Sequence, residues 1–148
     1  MDSSSLPRLM IVEDTPATRR LLSVSLARLG FPVVAQVENG QLAVERYAEG
    51  GVDLVLMDVE MPVMGGLDAL KEIKAKHEDA FVVMYTNVDD PDMAQQCLLA
   101  GATSYLSKSL SVADLGAALQ RMWQERPLPL LEDEDPPGDD LLFCAPLK

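Results

Sequence analysis

Five short apolar runs, separated by helical patterns, constrain the fold of this chain more than any other feature of its sequence. Runs this short and this apolar are typical of strands that are buried in a parallel sheet. They span residues 9–12, 33–37, 54–57, 81–85 and 104–106. Because a helical pattern follows each run, we predict an α/β fold in which a doubly wound five-stranded parallel sheet carries helices on both faces.

The first helix shows how these patterns begin and continue. Thr15 followed by Pro16 is typical of an N-cap and a first helical position. Leu22, Leu26 and Leu29 then recur at helical spacing. We therefore predict a first helix that carries these three leucines and is stopped by Gly30.

Polar residues stand just past, or at the end of, four of the predicted strands. The carboxyl ends of parallel strands meet at one edge of a sheet, which is where α/β folds place their sites. Carboxylates crowded together there repel each other unless a cation joins them, and Mg²⁺ prefers oxygen ligands and keeps positions open for water or phosphate. The residues are Glu13, Asp14, Asp58, Thr86 and Lys108. We predict a Mg²⁺ site beside a hydroxyl and an ammonium that suit a phosphoryl group.

Composition limits the class of protein. The chain has 148 residues, of which 48% are hydrophobic and 24% charged, which is typical of a globular domain. Its net charge of -12 argues against direct binding to nucleic acid or to an anionic membrane. Cys97 and Cys144 give no disulfide framework, the N-terminus is too polar for a signal peptide, and no apolar run reaches membrane-spanning length. We therefore expect a cytoplasmic protein.

The helical pattern ends at residue 126, and the remaining segment has a different composition. Residues 127–148 contain six acidic residues against one lysine, together with several prolines. Such a segment is typical of a solvated tail, although Leu141, Leu142 and Phe143 could instead dock on the domain or on a partner. We predict an N-terminal extension over 1–7, one domain over 8–126 and an acidic proline-rich tail over 127–148.

Over residues 8–126 the sequence resembles the receiver domains of response regulators in two-component signalling, and in particular the single-domain type of chemotaxis regulators. Any one of the matching motifs is weak, but their order at successive strand ends is specific. They are Glu13-Asp14, Met57-Asp58, Met61-Pro62, Gly65-Gly66, Thr86, Ala100-Gly101-Ala102 and Lys108. The resemblance implies a flavodoxin-like strand order of 2-1-3-4-5.

The resemblance also implies roles for the site residues. Asp58 would accept a phosphoryl group from a sensor histidine kinase or a phosphotransfer protein, and Lys108 would neutralise charge on the moving group. Thr86 would bond the group once it arrives, and Tyr105 occupies the position of the family's switch aromatic. Mg²⁺ would be the cofactor, held by Glu13, Asp14, Asp58 and the main-chain carbonyl of Glu60.

Such a protein would not be an enzyme acting on other substrates. Since the tail has no pattern of an output domain, it would act through a downstream protein bound to the face of helix four, strand five and helix five. The sequence leaves open whether the domain forms a homodimer.

Other interpretations of these residues stay open. Thr86 could simply cap a loop with Asn87, and Tyr105 could be an ordinary half-buried strand aromatic. The whole domain could be a pseudo-receiver that binds partners without phosphorylation. A phosphatase resembling the haloacid dehalogenases also uses a nucleophilic aspartate and Mg²⁺, but it would want Asp-x-Asp, and this stretch ends in Glu60.

Overall fold

Five parallel strands form the centre of the structure, a computed structural model that describes residues 6–126 of the chain. The strand order is β2-β1-β3-β4-β5, with every neighbouring pair parallel. The strands are β1 (Leu9–Val12), β2 (Val33–Val37), β3 (Leu54–Met57), β4 (Val82–Thr86) and β5 (Ser104–Ser107). This arrangement confirms the predicted doubly wound sheet with flavodoxin-like order.

One helix follows each strand. The helices are α1 (Pro16–Arg28), α2 (Gly40–Ala48), α3 (Gly66–Lys76), α4 (Pro91–Leu99) and α5 (Val112–Glu125). All residues of β1, β3 and β4 are buried, whereas β2 alternates between half-buried and exposed positions, as expected of an edge strand. Helices therefore cover both faces of the central strands.

Two apolar clusters lie on opposite faces of the sheet, and neighbouring residues of one strand contribute to different clusters. Met10 of β1 packs in the cluster that holds Ala69 and Leu70 of α3. Ile11, the next residue, packs with Leu26 of α1 in the other cluster. This division follows from the alternation of side chains along a strand.

Some element boundaries differ by one residue from those that the sequence predicted. Leu29 is 47% exposed, because α1 ends at Arg28 and Gly30, with a φ of 101°, turns the chain. Phe31 is buried beside Leu26 instead, and its amide donates to the Leu26 carbonyl. The fourth strand begins and ends one residue later than predicted, so Thr86 belongs to β4 instead of following it.

The start of the described chain packs against the domain. Leu6 contacts the cluster that contains Ile11, and Pro7 is buried. The predicted acidic tail, including residues 141–143, lies outside the described residues. Among residues 6–126, no helix is both long and apolar enough to span a membrane.

Candidate functional site

The predicted site residues converge on one cavity at the carboxyl edge of the sheet. This cavity has a volume of about 540 Å³. Its lining includes Glu13, Asp14, Asp58, Thr86 and Lys108. Glu60 also lines it, with an exposed side chain. Of the candidate residues, Tyr105 is the one placed outside this cavity, on a neighbouring one of about 240 Å³.

The strand order brings these residues together. β1 pairs with β3 so that Val12 lies opposite Met57, and the Asp58 amide donates to the Val12 carbonyl at 3.1 Å. On the other side, β4 pairs with β5, and the Lys108 amide donates to the Thr86 carbonyl at 2.9 Å. The residues at the carboxyl ends of β1, β3, β4 and β5 therefore lie close to one another.

Three carboxylates that line the cavity form an acidic cluster. Glu13, Asp14 and Asp58 each offer an oxygen, and these oxygens lie within 4.8 Å of one another. Glu13 is 2% exposed and Asp58 is 8% exposed. Burial raises the pKa of Glu13, although hydrogen bonds from Lys108 and the Thr15 amide oppose the shift. An oxygen-only donor set of this kind fits Mg²⁺.

Lys108 lies between two of these carboxylates. Its Nζ donates to Glu13 Oε1 at 2.5 Å and to Asp58 Oδ2 at 2.8 Å. Burial works to lower the pKa of Lys108, but its bonds to Asp58 and Glu13 outweigh burial and raise that pKa. The side chain is therefore an ammonium at neutral pH. One ammonium against three carboxylates leaves the cluster short of positive charge.

The loop after β3 closes tightly over Asp58. Asp58 Oδ1 accepts a hydrogen bond from the Val59 amide at 2.7 Å, and the Gly66 amide donates to the Val59 carbonyl at 2.7 Å. A Cβ atom on Gly66 would lie 2.1 Å from the Asp58 carbonyl oxygen. Only glycine fits there, so Gly66 allows the loop to return next to the carboxylate.

Thr86 and Tyr105 are connected through one residue. Thr86 is 1% exposed, and its Oγ1 accepts a hydrogen bond from the Val88 amide at 3.1 Å. The Tyr105 hydroxyl donates to the Val88 carbonyl at 2.8 Å. The Thr86 hydroxyl thus makes a hydrogen bond within the loop, as expected if Thr86 caps that loop, and Val88 links this hydroxyl to Tyr105.

Two contacts near the site escaped the sequence analysis. Arg19 Nη1 donates to the Glu13 carbonyl at 2.7 Å and so holds the acidic turn against α1. The Tyr85 hydroxyl donates to the Leu110 carbonyl at 2.8 Å, beside Lys108. Only a weak sequence pattern indicated the Arg19 contact, namely a basic residue in the first helical turn after an acidic pair. No sequence pattern indicated the Tyr85 contact, because Tyr85 is part of an apolar strand run.

Residues 9–120 match the family described as the response regulator receiver domain, and the chain belongs to this family. The chain is 41% identical over 101 residues to the chemotaxis protein CheY of Bacillus subtilis, covering 68% of this chain and 84% of that protein. It is 31% identical over 115 residues to CheY of Thermotoga maritima, covering 78% and 96%.

A solved structure of the CheX–CheY–BeF3–Mg complex from Borrelia burgdorferi is similar too. It has a TM-score of 0.72 and 26% identity, covering 78% of this chain and 86% of that chain. The chain is therefore a CheY-like receiver domain of two-component signalling, a family for which phosphorylation and Mg²⁺ binding are typical.

Proposed function

We propose that this protein is a phosphorylation switch in which Asp58 accepts a phosphoryl group from the phosphohistidine of a sensor kinase or phosphotransfer protein. The observation that carries the proposal is the position of Asp58. Its carboxylate lines an open cavity, accepts a hydrogen bond from the Lys108 ammonium at 2.8 Å, and has oxygens of Glu13 and Asp14 within 4.8 Å. This is the arrangement that transfer of a phosphoryl group to a carboxylate needs.

In the transfer step, a carboxylate oxygen of Asp58 attacks phosphorus. The P–N bond of the donor breaks, and the imidazole keeps the electron pair. The product is an acyl phosphate, a mixed anhydride that water can hydrolyse back to Asp58 and phosphate. Lys108, which already contacts Asp58, would turn its ammonium toward the phosphoryl oxygens and offset their charge.

Mg²⁺ would be held by Asp14 and Asp58, with Glu13 acting partly through water and the Glu60 carbonyl completing the protein ligands. The clustered oxygens of the three acidic side chains support this assignment. When bound, the ion offsets negative charge on the carboxylates and on the transferred group. Arg19 would keep the Glu13 backbone, and with it the acidic pair, in place.

Phosphorylation would be relayed from Thr86 to Tyr105 through Val88. Without a phosphoryl group, Thr86 Oγ1 accepts a hydrogen bond from the Val88 amide. When Oγ1 donates to a phosphoryl oxygen, the Thr86 side chain turns away from that amide. Movement of Val88 would release the Tyr105 hydroxyl from the Val88 carbonyl and free the ring to turn inward. The two arrangements form a two-state element whose populations phosphorylation shifts.

A downstream protein would bind the surface formed by α4, β5 and α5. Ala94 of α4 lines one cavity with Tyr105 and Ser107 of β5. Leu98, one helical turn after Ala94, is 48% exposed and gives this surface apolar contact area. Tyr105 lies on the neighbouring strand, so its rotation would change that surface. The protein would therefore act through contacts with partner proteins and would carry out no chemistry beyond gain and loss of its own phosphoryl group.

The test is intact-mass analysis after incubation with acetyl phosphate and Mg²⁺. The parent chain should gain one phosphoryl group, and the gain should disappear when EDTA replaces Mg²⁺. Asp58→Asn keeps the size of the side chain and should stay unlabelled, whereas the control Asp53→Asn, at the opposite edge of the sheet, should be labelled like the parent. Labelling of Asp58→Asn to the parent's extent would refute the proposal.

A further inference from the structure

The turn that carries Lys108 contains no proline to restrict its backbone. Lys108 lies in a turn after β5, where the Leu110 amide donates to the Ser107 carbonyl at 3.0 Å. The connection to α5 continues through Ser109 and Ser111. The conformation of this segment must therefore depend on hydrogen bonds, because proline is the residue that restricts φ covalently.

Most of those hydrogen bonds stay within the turn. The Ser109 amide donates to Ser107 Oγ at 3.1 Å, and the two serine hydroxyls lie 2.9 Å apart. Ser107 and Ser109 are both exposed, so water competes for these contacts. They shape the turn without fixing where it sits on the domain.

Besides the ion pairs of the Lys108 side chain and the apolar packing of Leu110, two hydrogen bonds tie the backbone of the turn to the rest of the domain, and both come from neighbouring residues of β4. The Thr86 carbonyl accepts from the Lys108 amide at 2.9 Å. The Tyr85 hydroxyl donates to the Leu110 carbonyl at 2.8 Å, across 25 positions of sequence. β4 therefore holds the turn at Lys108 from its backbone and at Leu110 from a side chain.

Tyr85 is well suited to this contact. It is 5% exposed and packs in the same apolar cluster as Leu115 and Leu119 of α5, so its ring has little freedom to move. Burial raises the pKa of its hydroxyl, which therefore remains a donor throughout the physiological range. A rigid ring with a fixed donor at its tip defines the position of the Leu110 carbonyl.

We infer that Tyr85 is a positioning residue for the phosphoryl-transfer step, acting through Lys108. Its hydroxyl holds the turn so that the ammonium of Lys108 reaches the carboxylates and the incoming group. The inference rests on the proposed function for the step that it supports, but the contact between Tyr85 and the turn can be tested separately.

The experiment uses Tyr85→Phe in the full chain, since phenylalanine keeps the ring and removes only the hydroxyl. Loss of one such hydrogen bond should slow labelling of Asp58 by acetyl phosphate, at saturating Mg²⁺, by about fivefold to tenfold. Affinity for beryllofluoride should fall by a similar factor, while affinity for Mg²⁺ should not fall, because the carboxylates are untouched. General loosening of the site would instead lower both affinities.

Two controls decide whether the effect runs through Lys108. In a Lys108→Ala background, Tyr85→Phe should cause no further slowing, because the residue on which it acts is already absent. Tyr47→Phe removes a tyrosine hydroxyl at the opposite edge of the sheet and should label at the parent's rate. A further slowing in the Lys108→Ala background would overturn the inference.

Amide hydrogen exchange reports on the turn without any phosphorylation. Exchange at the Lys108 and Leu110 amides should be about fivefold faster in Tyr85→Phe than in the parent. Unchanged exchange there, or an unchanged labelling rate, would overturn the inference. If the parent itself takes up no phosphoryl group, the proposed function fails, and exchange alone decides whether Tyr85 holds the turn.

Discussion

Replacing Lys108 by methionine should destabilise the metal-free protein. The substitution keeps an unbranched chain but removes the ammonium that lies 2.5 Å from Glu13 and 2.8 Å from Asp58. Removing one partner of a fully buried ion pair costs about 3–5 kcal/mol. Because this cavity is open to solvent, we expect a loss of about 2–3 kcal/mol at pH 7. For a domain of this size that loss lowers the thermal midpoint by about 10 °C.

The assay is thermal unfolding of Lys108→Met and of the parent between pH 4 and pH 8, with and without Mg²⁺. Burial already raises the pKa of Glu13, and loss of the ammonium should raise it further. A carboxyl whose folded-state pKa is raised contributes stability that is full below its unfolded pKa and is lost as pH rises through its folded pKa. The deficit of the variant should therefore be largest at neutral pH and shrink toward pH 4. Mg²⁺ should restore more stability to the variant than to the parent, because the ion supplies the missing cation.

Lys71→Met is the matched control, because Lys71 is exposed on α3 and its loss should leave the midpoint within about 2 °C of the parent's. The reasoning is refuted if Lys108→Met, in buffer without Mg²⁺ at pH 7, melts at or above the temperature of the parent. Such a result would mean that the three carboxylates do not repel one another strongly in the folded state.

Three further predictions follow from the site. Asp14→Ala should lower Mg²⁺ affinity by at least about tenfold in a calorimetric titration, because one of three clustered carboxylates is lost; retention of the parent's affinity would remove Asp14 from the site. Thr86→Ala should still be labelled at Asp58 but should lose the gain in partner affinity that beryllofluoride gives the parent, and an undiminished gain would exclude Thr86 as the relay. Gly66→Ala should unfold at lower denaturant concentration, by about 2 kcal/mol or more, since its Cβ would lie 2.1 Å from the Asp58 carbonyl oxygen; a midpoint equal to the parent's would contradict that steric argument.

The fold was predictable because burial and periodicity agree along most of the chain. The strands that became β1 and β3 are apolar throughout, and both are buried at every position. The convergence of the candidate residues was predictable for a related reason, since parallel strands place Asp58 and Lys108 at one edge whatever the details of packing. The end of α1 was predictable from Gly30, whose φ of 101° turns the chain just after the helix, but the spacing of the leucines did not show that Leu29 would be 47% exposed.

Contacts between elements that are far apart in the chain could not be predicted from the sequence. The bond from Tyr85 to Leu110 and the link from Thr86 through Val88 to Tyr105 depend on which loop each side chain meets after folding. No spacing encodes such a meeting, because it is set by the packing of the sheet against its loops. Contacts of this kind are found from the structure and not from motifs.

Chemical mapping of the acyl phosphate tests the central claim most directly. Borohydride reduces an acyl phosphate to an alcohol, so the phosphorylated aspartate becomes homoserine and can be located by tandem mass spectrometry. After labelling with acetyl phosphate and Mg²⁺, homoserine should appear at position 58 and at no other aspartate. Reduction products at Asp14 or elsewhere, with position 58 unchanged, would contradict the assignment of Asp58 as the residue that accepts the phosphoryl group.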